Sequence, residues 1–592
     1  MFCLKTAILI LCLSTIPAIS QQSDPVIRIN QLGYLPNLTK VAVFGTFSET
    51  KSAYFELISS ETDKTILRKA IGRNFGSYGP FLESYRLDFS NISEPGTYYL
   101  QVGGVRSPEF RVSKDVYNGT ADFALQYMRQ QRCGFNPYLN DSCHTTDGYT
   151  VYGPMEDHSF VDVTGGWHDA SDYLQYSSTS ANATYHLLAA YRDFPEAFGD
   201  QHLSNGLDGE NNLPDVLDEA RWGLEWLLKM HPREDWMFNQ IADDRDHSGY
   251  RLPTRDSVNY GYEPGIGRPV YFVSGKPQGL GKYQNRATGT SSIAGKFASA
   301  LELGSELFRE EMSFAKLLEK RSKSAYAFGQ ENPGVTQIAP NKAPYFYEED
   351  NWTDDMELGA VGVFRVTKDS FYLDQALKYA SVEKVIPWMG NNTARHYQWY
   401  PFHNFNHYEL AKILEGKHKR EVINYLKAGI EKVWQKAKTN AFYRGIPFIW
   451  CSNNLTTSFA IQCHQYRELT DDETFRELEQ ACFDWLFGFN PWGTSMVVGL
   501  PGKGHTPVSP HTSFTVLHDY PVKGGLVDGP VYGSIYGNLI GIKLIDPDEY
   551  ALFQSDLAVY HDDPGDYSTN EPTMDGTASL IYLLAAMETK SK

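Results

Sequence analysis

From Val116 to the end of the chain, apolar residues recur at helical spacing, and this limits the available folds more than any other feature. The stretch Leu213 to Met230 shows it best. Pro214 falls in the first turn, and Val216, Leu217, Ala220, Leu224, Leu227 and Leu228 make one apolar stripe. Similar stripes lie near 118–131, 174–191, 291–308, 313–328, 356–365, 370–381, 402–414, 418–437, 456–468, 472–487 and 573–588. About twelve helices in about 475 residues, joined by loops of very uneven length, predict a closed double ring, an (α/α)6 barrel. A helical repeat array is the alternative, but no fixed sequence period supports it.

Upstream the pattern is short and β-like. Ile27, Ile29 and Leu32 lead into the turn Gly33-Tyr34. Val41 to Phe44, Tyr54 to Ile58, and Thr97 to Val102 after the Pro95-Gly96 turn all read as strands. Six or seven strands predict a small immunoglobulin-like sandwich over residues 21–113, with the barrel over 114–592. Residues 1–20 read as a signal peptide, from Lys5, the apolar run Ala7 to Leu13, and Ala18-Ile19-Ser20 ahead of the cut. That run is too short to span a membrane, and no later stretch is long enough. Export to the periplasm or the cell exterior is expected.

The chain carries 53 Lys and Arg against 72 Asp and Glu, a net charge of −19. That sign disfavours nucleic acid and anionic lipid as partners. Seven cysteines fall to five once Cys3 and Cys12 leave with the signal, too few for a disulfide scaffold. Cys451, Cys463 and Cys482 sit in apolar helical surroundings and read as buried thiols. Cys133, Cys143, His144 and His168 supply two thiolates and two imidazoles. An exported protein permits a Cys133–Cys143 disulfide, but the two histidines favour a Cys2His2 zinc site. Asp208-Gly209-Glu210-Asn211-Asn212-Leu213-Pro214-Asp215 loosely matches a calcium loop, with Asp208, Asn212 and Asp215 as ligands. Helix capping explains Asn212 and Asp215 equally well.

Two acidic motifs carry the chemistry. Gly165-Gly166-Trp167-His168-Asp169-Ala170-Ser171-Asp172-Tyr173 sets two carboxylates three apart in a glycine-led loop before a helix. Tyr560-His561-Asp562-Asp563-Pro564-Gly565-Asp566-Tyr567-Ser568-Thr569-Asn570-Glu571 interleaves Tyr, His and Asn with its acids, as a lined pocket does. With Pro214-Asp215-Val216-Leu217-Asp218-Glu219-Ala220 and Phe487-Gly488-Phe489-Asn490-Pro491, these resemble the motifs of glycoside hydrolase family nine, in the same order. The resemblance covers essentially the whole mature chain, including the N-terminal domain that many such cellulases carry.

The resemblance implies inverting hydrolysis of a β-glycosidic bond in a β-1,4-linked glucan or its oligosaccharides. Asp172 would be the base that activates water, Asp169 would help orient that water, and Glu571 would be the acid. His247, Trp399, His511, Asp562 and Asp566 would contact substrate. Zinc, and calcium too, occur in related members. An acid catalyst must keep its proton, whereas a helix start favours the anion; crowding by Asp562, Asp563 and Asp566 is the expected counterweight. Thr512-Ser513 after Pro510-His511 removes a sugar-contacting Arg that the family usually carries, Tyr400-Pro401 follows Trp399, and Ser171 replaces a Gly. The alternatives are an exo-acting β-glucosidase or β-glucosaminidase, and a silent carbohydrate-binding protein. Aromatic loops over 243–289 and from Tyr345 to Trp352, with Glu348, Glu349 and Asp350, predict a pocket-like site that releases short products from chain ends.

Overall fold

The computed structural model describes residues 24–262, 267–342, 347–392 and 405–590. The expected signal peptide, Trp399 with Tyr400-Pro401, and Tyr345-Phe346 lie outside the described residues.

Eight strands come first: β1 (Val26–Arg28), β2 (Val41–Thr46), β3 (Tyr54–Ser59), β4 (Thr65–Ala70), β5 (Glu83–Asp88), β6 (Gly96–Val102), β7 (Val105–Arg106) and β8 (Phe110–Val112). They form two antiparallel sheets, β1-β2-β5 and β4-β3-β6-β7, with β8 also on β6. Alternation sets the sandwich core: Phe55 and Leu57 of β3 and Tyr98, Leu100 and Val102 of β6 turn inward. β2 is apolar on both faces because both are covered. Ala42 and Phe44 enter the sandwich core, while Val41 and Val43 join the core of the helical part. Asn30 Nδ2 donates to Asp484 Oδ1 at 2.7 Å, and Arg86 reaches the Ala441 carbonyl and Glu477, both at 2.6 Å. The sandwich is thereby fixed to the barrel.

The helices are α1 (Thr120–Gln130), α2 (Ser177–Asp193), α3 (Asp215–Met230), α4 (Ser291–Leu307), α5 (Met312–Glu331), α6 (Thr353–Thr367), α7 (Ser370–Glu383), α8 (Phe405–Ile413), α9 (Gly416–Ala437), α10 (Ser452–Thr470), α11 (Arg476–Trp485), α12 (Ser513–His518), α13 (Gly533–Tyr536) and α14 (Met574–Thr589). α2, α4, α6, α8, α10 and α14 touch in that order, and α14 returns to α2, closing an inner ring. α1, α3, α5, α7, α9 and α11 back it from outside. Composition separates the rings. α9 is amphipathic with an apolar stripe of Val422, Leu426, Ile430 and Val433, whereas α2 and α14 are buried almost all round. Small residues let the inner helices approach. A Cβ at Gly295 of α4 would lie 2.5 Å from the Asp355 backbone of α6.

Candidate active site

The loop between α1 and α2 is built on tryptophans. Trp222 and Trp226 of α3 donate from Nε1 to the carbonyls of Gly166 and Val163 at 2.8 and 3.0 Å. Gly166 has φ of 71°, and a Cβ there would meet the Trp226 ring at 2.6 Å, so no other residue fits. Trp167 Nε1 donates to Glu219 Oε1 at 2.7 Å, and Arg132 pairs with the same carboxylate at 2.8 Å, all of it buried.

This frame delivers the two loop acids. Asp169 is buried; its Oδ1 accepts from Thr179 Oγ1 and its Oδ2 from Tyr347 Oη, both at 2.7 Å. Burial, then the charges of Asp575 and Asp172, hold its pKa well above the ordinary carboxylate value. Asp172 Oδ1 accepts from the Leu174 N–H at 2.9 Å, and Oδ2 lies 3.5 Å from His247 Nε2. Burial opposes a charge on His247, but the Asp172 carboxylate outweighs it and lifts the imidazole to about 9.

Glu571 comes from the far end of the chain. It precedes a two-residue ribbon, Leu526–Val527 against Pro572–Thr573, and lies outside the first turn of α14. Its Oε1 accepts from the Ser171 N–H at 3.1 Å and from the Ser171 hydroxyl, while Met574 N–H donates to the Asp169 carbonyl at 2.9 Å. Burial raises its pKa, His511 pulls it down and the Asp172 charge raises it again, so the carboxyl favours its proton. Ser171, where a glycine was expected, is thus the tie between the two acidic motifs.

The acids expected to crowd Glu571 do not. Asp562 accepts from the N–H groups of Val508 and Ser509 at 2.7 and 2.9 Å. Asp563 holds the N–H groups of Ile545 and Gly565. Asp566 is spent on His561, Ser568 and Thr569. Unsatisfied loop N–H groups took these carboxylates, so Asp562 and Asp566 do not line the cavity and are corrected from substrate-contacting to loop-forming residues. Asp528, which the sequence reading missed, does line it, with Asp169, Asp172 and Glu571, in a cavity of ≈ 670 Å³. His247 and His511 line it as expected, and Trp399 is outside the described residues. An arginine also reaches the wall, from another loop: Arg251 is held by Asp246 and Asp256 at 2.6 and 2.7 Å, and its N–H donates to Ser513 Oγ.

The aromatic loops divide. Tyr250 and Tyr347 line the cavity, but Tyr271 and Phe272 are buried in a strand and Tyr260 is buried against Asp246. The acidic stretch is neutralised: Glu348 lies 3.1 Å from Arg286 and Glu349 2.5 Å from Lys296.

Cys133 follows α1, Cys143 and His144 sit on the adjoining hairpin, and His168 stands in the Asp169 loop. Cys133 Sγ lies 3.6 Å from His144 Nδ1, Cys143 Sγ 3.9 Å from His168 Nε2, and the two nitrogens 3.4 Å apart. These are three edges of a tetrahedron of zinc–ligand size, the four atoms all lie within 4.8 Å of one another, and both thiols are free and buried. His144 Nε2 meets Asp256 Oδ2 at 3.0 Å, the second hydrogen bond that a metal-bound imidazole normally makes. The calcium expectation is not met. Asp215 Oδ1 accepts from the N–H groups of Gln201 and His202, and the His202 ring stands between Asp215 and Asp208, at 2.6 and 3.8 Å. Asp208 points fully into solvent, the Asn212 N–H donates to Asp200, and Pro214 stands at the N-cap of α3, so neither Asn212 nor Asp215 caps that helix through its side chain. Cys451, Cys463 and Cys482 are buried thiols as expected.

The family model described as glycosyl hydrolase family 9 matches residues 117–584, and the one described as cellulase N-terminal ig-like domain matches residues 22–107. Endoglucanase D of Acetivibrio thermocellus is 23% identical over 95% of this chain and 83% of its own. A cellodextrinase of Butyrivibrio fibrisolvens is 25% identical over 95% and 99%. A metagenome-derived glycoside hydrolase family 9 endoglucanase superposes with a TM-score of 0.75 at 25% identity, covering 95% of this chain and 99% of that one.

Proposed function

The chain belongs to glycosyl hydrolase family 9, and from that premise we propose that it hydrolyses β-1,4-linked glucan and its oligosaccharides with inversion. The observation that carries the reading is the single cavity lined by Asp169 and Asp172 on one motif and Glu571 on the other, tied through Ser171. Glu571, which favours its proton, gives it to the leaving oxygen. Asp172, beside a cationic His247, takes a proton from the attacking water on the opposite face of the ring, and Asp169 orients that water. Inverting hydrolysis needs two carboxyls about 6.5–9.5 Å apart with water between them. His247 and His511 contact the sugars.

Tyr176, Tyr347, Trp450 and Tyr567 line the cavity, Tyr347 against Asp169. These rings, together with the endoglucanases that the chain resembles, support cutting within a chain rather than the end-on pocket that the long loops first implied. Viscosity falling steeply at little reducing-end release from a soluble β-glucan is the outcome expected. A silent binding protein would lack an acid or a base, and this cavity has both.

Zinc held by Cys133, Cys143, His144 and His168 would be structural, pinning the loop that carries Asp169 and Asp172. The substrate, a large polymer, and the pattern of residues 1–20 support export to the periplasm or cell exterior. Among the described residues no helix is long and apolar enough to cross a membrane. The test of the acid is Glu571→Gln, assayed on cellotetraose and on 2,4-dinitrophenyl β-cellobioside. Turnover should fall by about 10²–10⁴ on the first and far less on the second, whose leaving group needs no proton. Equal losses would refute the assignment.

A further inference from the structure

The carboxyl that stands beside Glu571 comes from the other strand of its ribbon. Leu526 faces Thr573 and Val527 faces Pro572. The pairing runs one step further, because the Asp528 N–H donates to the Glu571 carbonyl at 2.9 Å. Opposed residues of an antiparallel pair point to the same face with Cβ atoms about 4.5–5.5 Å apart. Both side chains accordingly enter the same wall of the cavity.

Asp528 is wholly buried. Its Oδ1 accepts from Cys451 Sγ at 3.2 Å, and its Oδ2, equally buried, has no hydrogen-bond partner. Among the described residues, the ionisable groups that act on it most are Glu571, Asp575 and Asp169, with Cys451 and Tyr127 beside it. None of them is a cation. Burial pushes its pKa well above the ordinary value, and a charge on Glu571 pushes it higher still, so Asp528 favours its protonated form. Glu571 is placed differently. Ser171 donates to it, His511 and Asp172 act on it with opposite signs, and its charge reaches His247, Tyr250 and Tyr567.

We propose that Asp528 is a positioning residue for the acid: as Glu571 delivers its proton, the Oδ2–H of Asp528 donates a hydrogen bond to the carboxylate that forms. The inference rests on Glu571 being the acid. One O–H bond of Glu571 breaks and one forms on the leaving oxygen; Asp528 keeps its own proton, so no further reactant is needed. A neutral donor gains more from an anion than from a neutral carboxyl, and the gain falls in the transition state. Oδ2, which has no other hydrogen-bond partner, is the atom left to meet the charge as it forms on Glu571.

The experiment sets Asp528→Ala and Asp528→Asn beside Glu571→Gln on cellotetraose and 2,4-dinitrophenyl β-cellobioside. Glu571→Gln judges the acid assignment by itself, through the difference between its two losses. Asp528→Ala should lower kcat about tenfold on cellotetraose and less than about threefold on the aryl glycoside. Asp528→Asn, which keeps an N–H donor, should recover most of that loss. Its alkaline limb of kcat/KM should stay within about 0.3 pH of the parent. Equal losses on both substrates in Asp528→Ala would mean a structural role and overturn the proposal. A limb moved down by about one pH unit or more in Asp528→Asn would mean an ionised Asp528, and would overturn it too. Should the alanine variant not fold, the asparagine pH profile decides.

Discussion

Lys296→Met would test how the barrel floor supports the site. Lys296 is 1% exposed on α4, and its Nζ meets Glu349 Oε1 at 2.5 Å and Asp355 Oδ2 at 2.7 Å. Asp354 also faces it, with Glu383 and His407 just beyond. Lys296 is the cation nearest Glu349 and Asp355 in this group of buried carboxyls, and His407, lifted to about 9 by Glu357 against its own burial, is a second one at its edge. Burial lifts Glu349 to about 7 even with Lys296 opposing, and burial and the Asp354 charge hold Asp355 well up. Both native values exceed those of an unfolded chain, so the native state binds these protons more tightly. The stabilisation is whole below the ordinary carboxylate pKa and is lost as pH rises through the native values, near 7 for Glu349. Methionine removes the cation and raises those native values further. Removing one partner of a buried ion pair costs about 3–5 kcal/mol, and here that cost falls on the alkaline side. At pH 5, below the native values, the folded protein keeps these carboxyls protonated with or without the cation, and the cost should be under about 1.5 kcal/mol. Thermal unfolding followed by circular dichroism at pH 5 and pH 8 reads this directly. The midpoint should drop by about 2–4 °C more at pH 8 than at pH 5, since a barrel of this length moves by about 1 °C per kcal/mol. An equal drop at both pH values would refute the reasoning, and so would no drop at all. Because Glu349 is two residues from Tyr347, activity at pH 8 should fall before bulk unfolding.

Asp172→Asn should damage cellotetraose and aryl-glycoside turnover alike, since both need activated water; near-normal rates would remove Asp172 as the base. Tyr347→Phe takes the hydroxyl from Asp169 Oδ2 and should cost about 1–3 kcal/mol of transition-state stabilisation, read as a lower kcat. Little change in kcat would show that the bond does not orient Asp169. The purified protein should carry about one zinc per chain, measurable by atomic emission, and chelation should lower the thermal midpoint before it lowers activity. A Cys133–Cys143 bridge without metal, seen by mass spectrometry, would exclude the site.

Much of the architecture was written in the order of residues. Twelve helical stripes fixed a double ring because an apolar stripe must be covered, and alternation in Tyr54 to Ile58 fixed a sandwich for the same reason. The base-bearing loop was legible because its glycines and its two carboxyls, three apart, stand together in the chain, whereas the tryptophans that pack on Gly166 come from α3, more than fifty residues on. Solvation decided the rest. Asp562, Asp563, Asp566 and Glu571 look alike in a line of sequence, yet three were drawn off by loop N–H groups that needed acceptors and only the fourth faces the cavity. Asp208 and Asp215 parted because a histidine six residues before Asp208 took the space between them. Asp528 carried no signal at all: it sits 43 positions from Glu571, and only the pairing of two short strands sets it beside the acid. A carboxyl's function depends on which donors, cations and apolar walls surround it, and those neighbours come from the whole chain.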